Sequence, residues 1–382
     1  PLISGNAIII YRHENRQLLV EEIIKDNRAH VMKLTPSHLQ FIKHLSFPDS
    51  QMKCFVLGGE QLETSLAKAI QQAFPQPIEI VNEYGPTETV VGCMIHQYQQ
   101  DRDQDVYVPI GKPAQHTDII LFDRQMNLLP EGTVGELYIG GKGVAKGYLN
   151  RPELTEERFV DHPFKPGEKM YKTGDAARIL PDGNIQFLGR NDDQVKLRGY
   201  RIETGEIEFW LNEQTSVKTA AVAVKSDASG SPCLTAYLVS TEKPDEHAIK
   251  KALADQLPDY MIPSHFIQLD KMPLTANGKL DKRALPELKQ MLKTKQMVVS
   301  DNLSDIETTI QDVWKKVLGL DEVGVHDKFF DIGGHSLNLI HVNQQLTKIL
   351  NQSIPMVEMF RRPTIRELAK YLNGPLEQEK VE

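Results

Sequence analysis

Between Ala7 and Tyr84 the chain alternates short β-branched runs with helical patterns: "AIIIY", "QLLVEEIIKD", "VMKL", "PSHLQFIKHL", "CFVLGG", "SLAKAIQQAF" and "IEIVNEY". Strands separated by one helix each require right-handed crossovers, so this stretch predicts a mostly parallel sheet covered on both faces. In such sheets binding sites form beyond the carboxyl ends of the strands. The loops after Leu34, Leu57 and Val81 therefore share one rim and are the first places to look for chemistry.

Residues 106–190 read differently. The runs "DIILFD", "GELYIGG" and "NIQFLG", broken by Pro and Gly, predict antiparallel or barrel-like β structure. From Asp192 to Leu285 the pattern is helix, two strands, helix, strand, a compact α+β subdomain. Residues 286–302 are polar and read as a linker. "DIETTIQDVWKKVLGL", "SLNLIHVNQQLTKIL" and "TIRELAKYLN" then carry apolar residues at helical spacing, as in a small bundle over 303–375, with 376–382 a tail.

A chain of 382 residues is long enough for several domains, and its net charge of −8 with both signs interspersed gives no argument for nucleic acid or a membrane surface as partner. Small molecules or proteins are the expected partners. Cys54, Cys93 and Cys233 lack metal-ligand spacing and read as reduced, buried thiols of a cytoplasmic protein. No apolar run reaches the length of about 18 residues needed to span a bilayer.

Four segments concentrate functional residue types. "NEYGPTETVVG" (82–92) follows a predicted strand and sets Tyr, Thr and a carboxylate around a Gly-Pro turn; a plain turn is the alternative. "YKTGDAARILPDGNIQFLGRNDDQVKLRGYRIETGEIE" (171–208) packs charge and glycine densely, and "NGKLDK" (277–282) holds Lys279 in a tight turn. In "DKFFDIGGHSLNLI" (327–340), Ser336 opens a helical run and by residue type alone reads as an N-cap.

In order along the chain, "NEYGPTET", "GELYIGGKGVAKGYL", "YKTGD", "GRNDDQVKLRGYRIETGEIE", "LPDYMIP" and "NGKLDK" resemble the adenylation domains of nonribosomal peptide synthetases. "DKFFDIGGHSL" resembles the attachment site of a peptidyl carrier (thiolation) domain. The resemblance implies a multidomain chain: an α/β, partly β-rich, AMP-binding adenylation core over 1–191, N-terminally truncated, an α+β subdomain over 192–285 and a four-helix carrier over 303–375. It implies ATP-dependent, Mg2+-assisted activation of an amino acid by an AMP-forming ligase, and transfer to 4′-phosphopantetheine on Ser336. The partners it implies are a phosphopantetheinyl transferase and neighbouring synthetase domains for condensation, epimerisation or thioesterase release.

By the same resemblance Lys279 bridges carboxylate and phosphate, Glu88 binds Mg2+, Thr87 contacts phosphate, Asp175 accepts from the ribose with Arg190 nearby, and Tyr84 stacks on adenine. A carboxylate suits both the metal and the ribose. Asp192 falls at the family's hinge, where a turn aspartate is the alternative, and Lys196 and Gly199 fall on the loop that admits the carrier's thiol. His335 belongs to the recognition turn around Ser336 rather than to catalysis. The substrate pocket falls on Lys33, Val56, Gly58, Glu83, Val91 and Gly92. An amide side chain satisfies Lys33 with its oxygen and Glu83 with its nitrogen, which favours asparagine, then aspartate; the alternative is an ion pair that closes the pocket floor.

The family's Ser/Thr/Gly-rich phosphate loop and its α-amino-binding aspartate have no counterpart in this sequence. "GGKGVAKG" (140–147) is no substitute, lacking the Ser/Thr after GK. The expectation is a fragment with an uncovered apolar edge that does not adenylate alone. A stand-alone acyl-CoA ligase would lack "GGHSL", while a remnant that only presents the carrier would be modified without being aminoacylated.

Overall fold

The computed structural model describes residues 2–11, 19–43, 45–197, 199–227, 232–240, 242, 244–275, 280–288, 303–320, 322–330, 332, 334, 336–352 and 354–373. The chain divides into two compact units, residues 1–201 and 202–382.

In the first unit β1 (Val31–Leu34), β2 (Cys54–Gly58) and β3 (Glu79–Tyr84) pair in parallel, and β4 (Met94–Gln97) and β5 (Lys112–Pro113) extend the sheet antiparallel. Alternate residues on β2 (Phe55, Leu57) and β3 (Ile80, Asn82, Tyr84) are buried, as one covered face requires. The helices α1 (Leu19–Asp26) and α3 (Thr64–Gln72) turn Val20, Ile24, Leu66, Ala67 and Ile70 into the same core. Burying such a stripe is what stabilises short amphipathic helices.

Two expectations fail here. "AIIIY" forms no strand: Ile8 and Ile10 are 57% and 82% exposed, and no described strand pairs with them. A β-branched run without a partner backbone has no ladder to join. "PSHLQFIKHL" yields only α2 (Pro36–Leu39), after which the backbone tightens into three-residue turns such as Ile42 N to Leu39 O at 3.1 Å, which bury Ile42.

The second sheet of this unit is antiparallel, as its patterning predicts. β6 (Thr117–Phe122), β7 (Gly135–Gly141), β9 (Lys169–Ile179) and β10 (Ile185–Arg190) run side by side, and β8 (Phe159–Asp161) pairs with β9 after α4 (Pro152–Arg158). Leu121, Leu137, Ile139, Ala177 and Ile185 pack with Tyr84 and Met94, so one core joins the two sheets. β11 (Gln194–Leu197) turns through Gly199 into β12 (Tyr200–Glu203) as a two-stranded ribbon.

The second unit begins with α5 (Thr204–Asn212), β13 (Val217–Ser226), β14 (Pro232–Ser240), α6 (Glu246–Ala254) and β15 (His265–Gln268). β13 pairs antiparallel and β15 parallel with β14. Asp245 caps α6 by accepting from His247 N and Ala248 N. Residues 289–302, most of the stretch read as a linker, lie outside the described residues. Among the described residues four helices follow: α7 (Asp305–Leu318), α8 (Ser336–Leu350), α9 (Met356–Arg361) and α10 (Ile365–Asn373). A Ser304–Glu307 capping box starts α7, and Gly319 at φ 68° ends it. Fully buried Trp314 and Phe329 meet edge to face at 4.7 Å in the centre of this bundle. Among the described residues no helix is long and apolar enough to cross a membrane.

Candidate functional site

The carboxyl ends of β1, β2 and β3 open into a cleft of about 330 Å³ in the first unit. Its walls include Lys33, Glu83, Thr87, Asp175, Arg190 and Lys196, which sequence reasoning assigned separately to substrate, phosphate, ribose and thiol.

At one end the antiparallel register of β9 and β10 sets Arg190 opposite Asp175. Arg190 binds Asp175 through Nη1 and Asp192 through Nε (2.6 Å) and Nη2 (2.7 Å), and Nη2 also donates to Thr173 O at 3.0 Å. Burial raises the Asp192 carboxyl, but the Arg190 hydrogen bond and charge outweigh it and hold the group below the ordinary range. The Tyr84 hydroxyl donates to Asp175, and burial with that neighbouring charge pushes it well above the usual phenol value.

Tyr84 is not among the side chains lining the cleft. It is 6% exposed, and Lys196 Nζ stands 5.2 Å from its ring centroid. The face assigned to adenine is covered in this arrangement by a cation on the ribbon. Lys196 itself is lowered from the lysine range chiefly by burial.

In the middle lies the loop after β3. Thr87–Thr89 form a single turn, after which Val90 and Val91 both adopt left-handed φ (67° and 69°). Two β-branched residues there store strain of about 1–3 kcal/mol each. The turn buries Glu88, whose Oε1 accepts from Tyr148 (2.6 Å) and Tyr171 (2.9 Å) and whose Oε2 accepts from Arg201 Nη1 (2.8 Å). Burial alone would raise this carboxyl; the Tyr148 bond and the Arg201 charge lower it instead.

At the far end Lys33 on β1 pairs with Glu83 on β3 across Gly58 on β2. The ion pair exists, and both partners face the cleft with Gly58 and Val91. Val56 and Gly92 do not line it. Gly92 lies behind Glu83, where a Cβ would come within 2.1 Å of Oε1, so its part is to leave room for that carboxylate.

The ribbon is held over the cleft by a residue the motifs did not single out. Glu60 accepts from Gly199 N at 2.7 Å and from Ser37 N at 3.0 Å. Gly199 has φ 79°, and a Cβ there would meet Thr35 Cγ2 at 2.6 Å. Tyr148, Tyr171 and Arg201 were also missed. All three stand inside the quoted motifs, but nothing in their spacing shows that they converge on Glu88.

Lys279 and His335 lie outside the described residues. Ser336 opens α8. Just before it, a Cβ on Gly334 would meet Phe329 O at 2.4 Å. Ser336 thus stands at the N-terminus of a 15-residue helix, a place where the backbone favours an anion. For Mg2+, the donor set is one buried carboxylate, Glu88, which does not itself line the cleft but follows Thr87, which does, and no cluster of three metal-ligating side chains occurs among the described residues. A single carboxylate completed by substrate oxygens is how Mg2+ is ordinarily held, so the residues fit.

A parallel sheet with such a cleft, an α+β unit and a helical bundle define the class of AMP-binding enzymes with an appended carrier. Residues 1–149 match the AMP-binding enzyme family, 206–279 the AMP-binding enzyme C-terminal domain and 308–372 the phosphopantetheine attachment site. The chain is 48% identical over 373 residues to tyrocidine synthase 3 of Brevibacillus parabrevis and 47% identical over 373 residues to bacitracin synthase 3 of Bacillus licheniformis. These alignments take in 98% and 97% of this chain and 6% of each relative. Among solved structures, holo-PA1221, a nonribosomal peptide synthetase protein with adenylation and carrier domains bound to a vinylsulfonamide inhibitor, superposes with TM-score 0.75 at 26% identity, covering 93% of this chain and 59% of that one. The chain belongs to the nonribosomal peptide synthetases and carries adenylation-domain sequence followed by a peptidyl carrier domain. The matched families use ATP with Mg2+ and carry 4′-phosphopantetheine.

Proposed function

We propose that this chain contributes amino-acid activation and thiolation to nonribosomal peptide synthesis, acting as an AMP-forming ligase that loads its own carrier at Ser336. The observation that carries the reading is the cleft, which brings Lys33, Glu83, Thr87, Asp175, Arg190 and Lys196 together in one unit. Asp175, fixed by Arg190 and Tyr84, accepts from the ribose hydroxyls, while Thr87 donates to phosphate. Glu88 would hold Mg2+, which supplies charge neutralisation as two anions meet. Lys279 adds a second cation as the amino-acid carboxylate attacks the α-phosphorus of ATP and pyrophosphate leaves.

Asp192 is the pivot between the two half-reactions, and the ribbon bearing Lys196 and Gly199 lines the route of the thiol that phosphopantetheine supplies. Attack by that thiol releases AMP. The side-chain end of the pocket is the Lys33–Glu83 pair, which asparagine splits most economically, its oxygen to the ammonium and its nitrogen to the carboxylate. Aspartate ranks second because it leaves two carboxylates facing one another. The work belongs in the cytoplasm, beside a phosphopantetheinyl transferase and neighbouring synthetase domains.

Intact mass after treatment with a phosphopantetheinyl transferase and coenzyme A, then with ATP, Mg2+ and asparagine, tests the reading. An unmodified Ser336 removes the carrier assignment. A phosphopantetheine adduct with no amino-acid adduct, here and in a longer chain holding the phosphate loop, reduces the chain to a non-enzymatic carrier.

A further inference from the structure

Arg201, on β12 of the ribbon, reaches Glu88. Nη1 donates to Glu88 Oε2 at 2.8 Å and Nη2 to the Tyr171 hydroxyl at 3.2 Å, while Tyr148 and Tyr171 donate to Glu88 Oε1. Both carboxylate oxygens are in use, and one of the three partners is a full positive charge. A hard divalent cation takes a carboxylate oxygen directly at about 2.0–2.1 Å. A guanidinium at hydrogen-bond distance from the same oxygen would then stand within a few ångströms of that ion, in a buried setting where like charges repel strongly.

We propose that Arg201 and a divalent cation are alternative partners of Glu88, so that docking of the ribbon over the cleft and metal binding exclude each other. The proposal rests on the reading of Glu88 as the metal-binding residue. It gives the two half-reactions a local switch. With the metal on Glu88 the ribbon is lifted, as pyrophosphate-releasing chemistry needs. With Arg201 on Glu88 the carboxylate stays neutralised without a metal, which the thiol step, having no pyrophosphate to release, does not need. Gly199 on Glu60 and Lys196 over Tyr84 move with the same ribbon, so three contacts change together.

The test is Mn2+ alone as probe, titrated into the whole chain and followed by loss of the free-ion electron paramagnetic resonance signal. Arg201→Met should bind Mn2+ about ten-fold more tightly than the parent chain, the worth of one competing charge-assisted hydrogen bond. Adding Glu88→Gln should abolish the gain. Equal affinity of parent and Arg201→Met, with binding still weakened by Glu88→Gln, overturns the competition and leaves Glu88 as the metal residue. Indifference to Glu88→Gln in both backgrounds overturns the metal reading and the competition together. Reciprocity supplies an arm that needs no variant, since the ion must loosen the ribbon by the factor by which the ribbon weakens the ion. Mn2+ should accelerate hydrogen exchange at the Gly199 amide of the parent chain; unchanged exchange at an occupied site overturns the proposal even if the variants misfold.

Discussion

Asp192 Oδ2 lies 2.7 Å from the point where a Cβ on Gly174 would stand. Arg190 Nη2 is 2.8 Å from the same point, and Gly174 has φ 78°. The glycine of "YKTGD" is thus the floor over which Arg190 ties Asp175 to Asp192, and its own carbonyl accepts from Asn191 N at 2.8 Å. Both the left-handed backbone and the absent side chain are needed there.

Gly174→Ala should therefore cost about 2 kcal/mol of stability, from positive φ and from displacement of two charged side chains. Because the displaced groups orient Asp175, AMP affinity should fall as well. Urea denaturation and calorimetric titration with AMP measure the two effects. A loss of stability with AMP affinity intact would separate this glycine from the nucleotide end of the cleft.

Lys196 is half-buried and held below the ordinary lysine range by burial, with Arg190 and Arg201 adding to the effect against Asp175 and Glu60. A lysine depressed in the folded state binds fewer protons than in the unfolded chain. Its penalty is present below the folded value and is relieved as pH rises from there towards the unfolded value of about 10.4. Lys196→Met should raise the melting temperature at pH 7 by about 2 °C. The gain should vanish near the unfolded lysine value, and acyl transfer to a loaded carrier should slow. A destabilised Lys196→Met at pH 7 would mean that the ammonium's contact with Tyr84 outweighs its desolvation.

Much of the fold was legible because its signals are local. The β-branched runs of β1, β2 and β3 and the antiparallel region from Thr117 to Arg190 follow from period and punctuation, and the apolar spacing of "DIETTIQDVWKKVLGL" announces α7. "AIIIY" misled because a strand is a property of two segments, and only one was visible in the text. The site was legible as separate motifs and illegible as an assembly. Arg201 meets Glu88 across 113 residues, and Gly199 meets Glu60 across 139. No periodicity encodes such pairs; only the folded ribbon does. Val90 and Val91 were hidden for the opposite reason, since β-branched residues argue against the left-handed backbone that the turn imposes.

The Lys33–Glu83 pair makes a sharp prediction about selectivity. Glu83→Gln removes the charge that opposes an acidic side chain while keeping an acceptor for an amide. The asparaginyl and aspartyl forms of a sulfamoyl-adenosine analogue, titrated into parent and variant, should show the asparagine preference shrinking by about ten-fold, roughly the worth of one unpaired buried charge contact. An unchanged ratio would leave the pair as the closed floor of a pocket that reads its substrate elsewhere.

At the carrier end the prediction concerns Gly334 rather than the serine it precedes. A Cβ there would stand 2.4 Å from Phe329 O and 2.5 Å from the Phe329 ring, and Phe329 is fully buried against Trp314 and has nowhere to retreat. Gly334→Ala should cost the bundle about 2 kcal/mol through overpacking. Trp314 fluorescence in a Trp210→Phe background reads that loss. Since the same turn delivers the chain to the start of α8, the rate at which a phosphopantetheinyl transferase loads Ser336 should fall even below the denaturation midpoint, where the bundle is still folded. A destabilised bundle that is loaded at the parent rate would show that the transferase recognises the helix alone, and that the tight glycine turn serves the core and not the attachment site.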